Sequence, residues 1–343
     1  MNGKFDYKVI GRIGEGAHGI VLKAKNRKTG ELVALKRMLN NKGDDKIHLT
    51  LLREIKSLQQ VKSTYVIKLL EVITNGPSVI LVLELMAGGL STVLTDVNNP
   101  LTIPQMKAYS RMLLSGCAHL HKQSIMHRDL KPANLLIGYD GILRIADLGQ
   151  ARLIKGRPYS HQIGSRWYRA PELLYGSRKY TSAVDIWSIG CIIAEMINYS
   201  PLFAASSTFI GESDIEQLAI VIKSLGSPSE ENWPGMHLLP DYGKIAFPKS
   251  KGKSWKTLIP DSPPGALDLI KSLLLYNPKE RLSCEMALNH SFFHVEPLGL
   301  KDEQMTLPQI LRNKRKPERL TTNLDVESPF RPIFKELSTL FTY

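Results

Sequence analysis

An eight-residue stretch, His127–Asn134, constrains this chain more than any other part of it. It reads HRDLKPAN and places a carboxylate at Asp129, an ammonium at Lys131 and an amide at Asn134 in one short loop. A carboxylate can accept the proton of an attacking hydroxyl, an amide oxygen can hold Mg²⁺, and an ammonium can steady a transferring phosphate. The stretch therefore indicates phosphoryl transfer, although a buried turn with the same residue types is an alternative at this point.

A glycine motif lies near the amino terminus, where Gly14, Gly16 and Gly19 form GxGxxG and Val21 follows. Dinucleotide-binding folds also use GxGxxG, but in those folds a helix follows the glycines. Here residues 21–25 alternate as a strand does, and three strands are predicted over residues 7–37. The glycines are therefore expected in a hairpin that lies over phosphates.

The third predicted strand ends in Val-Ala-Leu-Lys, and Lys36 is expected to bind the α- and β-phosphates of a nucleotide. A strand lysine is more often an edge charge, but the preceding glycine hairpin favours the functional interpretation. Apolar residues at three- and four-residue steps predict a helix over about residues 46–60. Glu54 on this helix is the candidate partner of Lys36.

The remaining pattern changes from strands to helices. Strands are predicted over residues 66–70 and 79–85, and residues 84–89 are expected to form a hinge whose backbone binds an adenine edge. A helix should run from the capping box at Thr102 to about Gln123. A hairpin over residues 135–145 leads to Asp147, a predicted magnesium ligand, and a long loop over residues 150–172 is expected to be functional. Further helices are predicted over residues 185–197, after Ser213, and near residues 266–275 and 283–288.

These motifs, in this order, resemble the eukaryotic protein kinase family over about Tyr7–Phe293. The resemblance implies an α+β, bilobal protein kinase fold. Its N-lobe (residues 1–86) would hold a small antiparallel sheet and one helix, its larger C-lobe (87–295) would be mainly helical, and residues 296–343 would form a partly flexible extension. ATP and Mg²⁺ are the implied cofactors, and protein serine and threonine hydroxyls are the implied substrates.

The resemblance also supplies the predicted nucleotide site. Lys36, Asp129, Lys131 and Asn134 are the catalytic candidates, and Asn134 and Asp147 are the metal ligands. The residues assigned to ATP binding are Ile13, Gly14, Glu15, Gly16, Ala17, His18, Gly19, Val21, Ala34, Lys36, Glu54, Leu83, Glu84, Leu85, Met86, Leu136 and Asp147.

Residues 167–172 (WYRAPE) and the segment SDIEQL at 213–218 are similar to the cyclin-dependent and MAP kinase branch. Within it, the resemblance is to cell-cycle-related, cyclin-dependent-kinase-like enzymes tied to cilia. Ser160 stands where this branch carries its activating phosphate, which implies an upstream kinase and a phosphate-binding trio of Arg53, Arg128 and Arg152. Gly164, with Ser165 and Arg169, stands where the branch recognises the proline of Ser/Thr-Pro substrates.

The resemblance further implies that Glu172 pairs with Arg281 and that Asp185 braces the catalytic loop. Three departures from the family pattern stand out. Leu148 replaces the usual phenylalanine after the metal-binding aspartate, and Ala17-His18 replaces an inhibitory Thr-Tyr pair. The helix sequence around Glu54 also differs from the cyclin-recognising one, which leaves open whether a cyclin-like activator is required.

Composition and local patterns constrain the remaining classes. The net charge of +13 could attract nucleic acid, but the basic residues are scattered and no specific nucleic-acid motif accompanies them. The three cysteines, Cys117, Cys191 and Cys284, are far apart in sequence without CxxC, so neither a disulfide framework nor a zinc site is predicted.

No membrane span or signal peptide is recognisable, so an intracellular location in cytoplasm, nucleus or cilium is expected. The basic run at residues 312–319 is either a solvated tail or a nuclear-import signal. The alternatives to an active kinase are a pseudokinase scaffold and, more remotely, a nucleic-acid-binding protein.

Overall fold

The structure, a computed structural model, describes residues 6–16, 19–38, 45–75, 78–156, 158–204, 213–313 and 330–332. These residues form two lobes, one built on a six-stranded antiparallel sheet and one mainly helical, which confirms the predicted α+β bilobal fold. Ala17, His18, the apolar tail segment over residues 333–341 and most of the basic run lie outside the described residues.

The strands follow the predicted hairpin pattern in the amino-terminal lobe. The described strands are β1 (Tyr7–Gly16), β2 (Gly19–Asn26), β3 (Leu32–Met38), β4 (Leu69–Asn75), β5 (Ser78–Glu84), β6 (Gly88–Gly89), β7 (Ile125–Met126), β8 (Leu135–Ile137), β9 (Leu143–Ile145), β10 (Arg152–Leu153) and β11 (Phe330–Pro332). Their order in the large sheet is β1-β2-β3-β5-β4-β11, and two small sheets pair β6-β8-β9 and β10-β7.

Two strand predictions need correction. The strand expected over residues 66–70 instead begins at Leu69 and continues to Asn75, while Val66 only bridges to Ile145. The outer strand β11 was not predicted, because three residues of a tail carry no periodic signal of their own; it pairs antiparallel with β4.

The helices agree with the predicted ones to within about two residues. The described helices are α1 (Asp45–Gln60), α2 (Leu90–Val93), α3 (Ile103–Lys122), α4 (Pro171–Leu174), α5 (Ala183–Asn198), α6 (Asp214–Leu225), α7 (Trp255–Leu258), α8 (Ala266–Leu273), α9 (Cys284–Leu288) and α10 (Gln309–Arg312). None of the helices in the described part of the chain is long and apolar enough to cross a membrane.

Local side-chain chemistry explains where the long helices begin. Thr102 caps α3 and Ser213 caps α6, and in each case the residue three positions on, Gln105 or Glu216, bonds back to the capping backbone. These reciprocal bonds satisfy N–H groups that have no partner inside the helix.

The apolar faces of two helices hold the active-site elements in place. Leu51, Ile55 and Leu58 on α1 are buried, as their spacing predicted. Helix α5 is buried almost along its whole length, and its Trp187 stacks on Phe203 with ring centroids 5.7 Å apart. Through these contacts α1 and α5 can position the charged residues described next.

Candidate active site

The glycine hairpin between β1 and β2 closes at a Gly16–Gly19 pair. Gly19 has φ of +138°, and a Cβ there would lie 2.0 Å from the carbonyl oxygen of Arg37 on β3. Gly14 is different, since the nearest atom to its virtual Cβ is a Val21 carbon at 3.8 Å. The backbone therefore requires glycine at position 19 and only accommodates it at position 14.

An apolar wall surrounds the predicted adenine position. Leu83 and Ala34 are buried, and other predicted nucleotide-binding residues pack beside them in the same hydrophobic cluster: Val21, Leu85, Met86 and Leu136. Ile13 is 41% exposed at the edge of the sheet. These residues offer the flat apolar surfaces that a purine ring would contact.

Two predicted ATP contacts have protein partners through their side chains. Glu84 accepts a hydrogen bond from the Lys68 backbone N–H at 2.7 Å and lies 3.4 Å from Arg144 Nε. Glu15 pairs with Arg12 in an exposed ion pair. A contact of Glu84 with adenine would therefore involve its backbone rather than its side chain.

Lys36 on β3 is held between two carboxylates. Its Nζ donates to Glu54 Oε1 of α1 at 2.7 Å and to Asp147 Oδ1 at 3.0 Å. Burial on its own would lower the pKa of Lys36, but the attraction of Glu54 and Asp147 outweighs burial, and the pKa is raised. The structure thus confirms the predicted Lys36–Glu54 pair and keeps this ammonium charged beside Asp147.

The carboxylate of Asp185 on α5 holds the catalytic loop by hydrogen bonds to the backbone of that loop. It is fully buried, and its two oxygens accept hydrogen bonds from the N–H groups of His127 at 2.9 Å and Arg128 at 2.7 Å. His121 Nε2 lies 2.8 Å from the same carboxylate. Arg128 has φ of +69°, a conformation that a non-glycine residue keeps only when its surroundings impose it. The predicted bracing role of Asp185 is confirmed in this contact.

The side chains of Lys131 and Asn134 both contact the carboxylate of Asp129. Asn134 Nδ2 donates to Asp129 Oδ2 at 3.0 Å, and Lys131 Nζ lies 3.1 Å from the same oxygen. The other oxygen, Oδ1, accepts bonds from Ser165 N at 2.9 Å and Ser165 Oγ at 3.2 Å. Lys131 also donates to Ser165 Oγ at 2.8 Å, so a hydroxyl already lies between a carboxylate and an ammonium.

Gly164 lies beside this group in a left-handed conformation, with φ of +72°. A Cβ there would lie 2.6 Å from the Arg128 carbonyl oxygen. The Gly164 carbonyl accepts a hydrogen bond from Arg169 Nη2 at 2.7 Å, and Arg169 is itself paired with Asp214. This carbonyl is therefore bonded within the protein by a buried arginine.

The predicted arginine trio comes together beneath the long loop over residues 150–172, called the activation segment below. Burial, then the positive charge of Arg128 and of Arg53, lowers the pKa of Arg152 to about 10, and burial followed by Arg128 lowers the pKa of Arg53. Arg128 donates to the hydroxyl of Tyr180 at 2.8 Å, which in turn donates to the Ser160 carbonyl at 2.6 Å. Three mutually repelling guanidinium groups therefore lie together, and Tyr180 links one of them, Arg128, to the backbone of the exposed Ser160.

A buried ion pair joins distant parts of the helical lobe. Arg281 donates through Nη1 and Nη2 to the two oxygens of Glu172, at 2.7 and 2.8 Å. The pair is two-pronged and almost fully buried, which confirms the implied Glu172–Arg281 contact.

Three functional contacts were missed by sequence reasoning: the Ser165 bonds to Asp129, the Tyr180 bridge to Ser160, and the His121 bond to Asp185. All three join residues far apart in the chain, and no motif spacing signals them. The sequence motifs had marked Asp129, Ser165, Ser160 and Asp185 individually, but not the contacts in which they take part.

Comparison with known proteins agrees with this arrangement. The sequence profile of the protein kinase domain matches residues 7–293. The chain is 49% identical over 307 residues to cyclin-dependent kinase 20 of Danio rerio, covering 88% of each chain. It is 46% identical over 309 residues to cyclin-dependent kinase 20 of Homo sapiens, covering 89% of this chain and 88% of that protein. It is also 39% identical over 287 residues to cyclin-dependent kinase D-1 of Arabidopsis thaliana, covering 83% of this chain and 70% of that protein.

Proposed function

Because this chain belongs to the protein kinase family, as a serine/threonine kinase related to the cyclin-dependent kinases, we propose that it phosphorylates serine and threonine residues that precede proline. The observation that carries the proposal is the convergence of Lys36 with Asp147 and of Asp129 with Ser165, directly beside Gly164. In the proposed function Lys36 binds the nucleotide, Asp129 is the base and the backbone at Gly164 contacts the substrate peptide.

The side chains at this site fit ATP and Mg²⁺, which the kinase family uses. Mg²⁺ prefers oxygen ligands and in nucleotide sites is held by a few protein oxygens together with phosphates. Asp147 and Asn134 would supply those oxygens, and the Lys36 ammonium would bind phosphate. When bound, the metal ion would neutralise charge on the phosphates during transfer.

Asp129 is proposed as the general base. Its Oδ1 already accepts a hydrogen bond from the hydroxyl of Ser165, so it can accept one from a substrate hydroxyl in the same manner. Asn134 holds the second oxygen of the carboxylate and fixes its orientation. Lys131, close to both Asp129 and Ser165, would stabilise negative charge on the transferring phosphate.

The preference for proline is supported by the backbone at Gly164. Its carbonyl is bonded to Arg169 and is not offered to a substrate N–H group. A substrate residue with an N–H would leave that group without this acceptor, whereas proline has no N–H to satisfy. At the position after the target serine or threonine, proline is therefore the residue that loses the least hydrogen-bonding free energy when the substrate binds.

The test is a peptide library in which the residue after serine or threonine is either proline or alanine. We expect kcat/KM to be at least about tenfold higher for the proline peptides, and Asp129→Asn to lower kcat by about 10²–10⁴-fold. Equal turnover of alanine peptides would exclude the proline preference. Nucleotide binding without turnover in the wild-type chain would favour a scaffold, the alternative to an active enzyme.

We further propose that phosphorylation of Ser160 by another kinase activates the enzyme. A phosphate there adds nearly two negative charges, and forked arginine–phosphate bonds would join α1, the catalytic loop and the activation segment through Arg53, Arg128 and Arg152. The mutual repulsion of the three arginines would be relieved at the same time. Ordering of the segment around Gly164 would follow from these bonds.

This regulation is tested by comparing Ser160-phosphorylated and unphosphorylated protein with Ser160→Ala. We expect phosphorylation to raise kcat/KM by about 5–150-fold and Ser160→Ala to remove the gain. Ser200→Ala, at an exposed serine outside this segment, is the control and should keep the full response. An unchanged response in Ser160→Ala would place the activating phosphate elsewhere.

A role in cilium assembly, cilium length or the cell cycle, in the cytoplasm, nucleus or cilium, is proposed from the family resemblance. The names of the similar proteins from Danio rerio and Arabidopsis thaliana include the word cyclin-dependent, which supports testing a cyclin-like activator of this chain. Loss of the protein should alter cilium length or cell-cycle distribution, with rescue by the wild type and not by Asp129→Asn. Normal cilia and cycling in its absence would exclude this role.

A further inference from the structure

Two cysteines and a histidine meet in the helical lobe, apart from the nucleotide-binding residues. Cys117 Sγ lies 3.3 Å from Nε2 of His121, and Cys284 Sγ lies 3.9 Å from Nδ1 of the same ring. One ligand atom from each of the three residues lies within 4.8 Å of the other two. Both cysteines are buried, and the His121 side chain is 15% exposed.

The fold explains how these side chains come together. Cys117 and His121 are four residues apart on α3 and so share one face of the helix. Ser283 caps α9, which makes Cys284 the first residue of a helix that packs against α3. No motif in the sequence indicates that Cys117 and Cys284 approach each other, because they lie far apart along the chain without a CxxC pattern.

The donor set matches that of a thiophilic divalent ion. Zn²⁺ binds thiolate sulfur at about 2.3 Å and imidazole nitrogen at about 2.0–2.1 Å, so tetrahedral ligands lie roughly 3.5–3.8 Å apart. The 3.9 Å between Cys284 Sγ and His121 Nδ1 is already close to that separation. Two cysteines, one histidine and a water in the fourth position make a known zinc ligand set, and the exposed edge of His121 gives water access.

The surrounding charges also favour a cation. The carboxylate of Asp185 is buried 2.8 Å from His121 Nε2 and places a negative charge beside the cluster. The other ring nitrogen, Nδ1, faces the sulfur of Cys284. A divalent ion at Nδ1 would replace a proton and leave Nε2–H to donate to Asp185, the carboxylate–histidine–metal arrangement of many zinc sites.

We propose that Cys117, His121 and Cys284 form a Zn²⁺-binding site that joins α3 to α9. His121 is the link to the catalytic loop, since it bonds the carboxylate of Asp185 that holds the backbone of His127 and Arg128. Binding of the ion fixes the ring of His121 and through it the orientation of Asp185. Ion binding at this site can be measured without an assay of kinase activity.

The experiment uses the full chain, purified with a phosphine reductant and titrated with Co²⁺ as a spectroscopic probe and then Zn²⁺ against a chromophoric chelator. We expect one ion per chain, a thiolate-to-cobalt charge-transfer absorption in the near ultraviolet, and displacement of Co²⁺ by Zn²⁺. At a free Zn²⁺ concentration one hundred times Kd, thermal unfolding should shift upward by roughly 5 °C.

Matched variants separate this site from other metal-binding groups. Cys117→Ala/Cys284→Ala should lose the cobalt–thiolate absorption and bind Zn²⁺ at least about a hundredfold more weakly. Cys191→Ala removes the third buried cysteine, which is outside the cluster, and should bind as the wild type does. If the double variant does not fold, the single variants Cys117→Ala and Cys284→Ala replace it, and each should show weaker absorption.

Two results would overturn the proposal. One is a wild-type chain that shows no thiolate absorption with Co²⁺. The other is a set of cysteine variants in the cluster that binds Zn²⁺ as tightly as Cys191→Ala does.

Discussion

At the scale of single residues, the backbone conformation of Gly19 gives the sharpest prediction about the glycine hairpin. Gly19→Ala would place a Cβ 2.0 Å from the Arg37 carbonyl at φ of +138°, so β2 would have to move away from β3. Strain at positive φ alone costs about 1–2 kcal/mol, and the clash adds to it. We expect KM for ATP to rise at least about tenfold and the melting temperature to fall, as measured by steady-state kinetics and thermal unfolding.

The control for this prediction is Gly14→Ala in the preceding strand. Its added methyl group meets only Val21, at an ordinary contact distance of 3.8 Å, and it should change KM for ATP much less. Equal effects of the two substitutions would mean that hairpin flexibility, rather than the space beside Arg37, determines the requirement for glycine.

Single residues also differ in whether their role in the site can be recognised from the sequence. Lys36, Asp129, Asn134 and Asp147 were recognisable because the chemistry fixes residue type and local spacing together. The hydrogen bond from the Ser165 hydroxyl to Asp129 was not recognisable. Ser165 lies 36 positions away in the sequence, and no sequence pattern distinguishes a serine that makes this contact from any other small polar residue. Its contact follows from the path of the activation segment, which only tertiary structure determines.

At the scale of secondary-structure elements, the pair between β3 and α1 carries the next prediction. Glu54 is 2% exposed, so Glu54→Gln would keep the shape of the side chain while removing the charge that Lys36 faces. A hydrogen bond to a charged group contributes about 1.5–3 kcal/mol, so we expect kcat/KM for ATP to fall by roughly 10–150-fold. Steady-state kinetics at varied ATP concentration, with thermal unfolding in parallel, measures the loss.

An exposed ion pair of similar length is the comparison for Glu54→Gln. Lys28 lies 2.6 Å from Asp6, but its side chain is 72% exposed. Lys28→Met should leave ATP kinetics and stability unchanged, because solvent screens such pairs. If Glu54→Gln changed ATP kinetics and stability as little as Lys28→Met does, the position of α1 would depend on its apolar face alone.

The elements themselves were predictable where their signals were strong. Capping boxes and periodic apolar faces located α3 and α6 to within a few residues. The strand that contains Leu69 was placed too early, because Val66 belongs to the same largely apolar run but bridges to Ile145 of β9, outside the large sheet. Short apolar runs do not distinguish these two outcomes.

At the scale of the whole molecule, the fold joins residues that no local pattern connects. Glu172 and Arg281 pair across 109 positions, and His121 approaches Cys284 across 163. The first contact was inferred from family resemblance, whereas the second had no such guide. Long-range contacts of this kind need either a known relative or a structure.

Global stability should depend on pH through Glu195, a buried residue of α5 that accepts a 2.7 Å hydrogen bond from Tyr168. Burial raises the pKa of Glu195 from 4.5 to about 6, although the bond from Tyr168 opposes the shift. The folded chain therefore holds this proton more tightly than the unfolded chain. The resulting stability is fully present below about pH 4.5 and is lost as the pH rises through about 6, by about 2 kcal/mol in all.

Glu195→Gln tests this dependence because glutamine can still accept the Tyr168 hydroxyl without carrying a charge. We expect the unfolding free energy of the variant, relative to the wild type, to rise by about 2 kcal/mol between about pH 4.5 and pH 7. Urea unfolding at several pH values measures it, and Glu231→Gln, at an exposed position, controls for the loss of one negative charge. Parallel pH profiles for wild type and Glu195→Gln would show that the carboxyl of Glu195 has the same pKa in the folded and the unfolded chain, and its burial would then have no part in the pH dependence of stability.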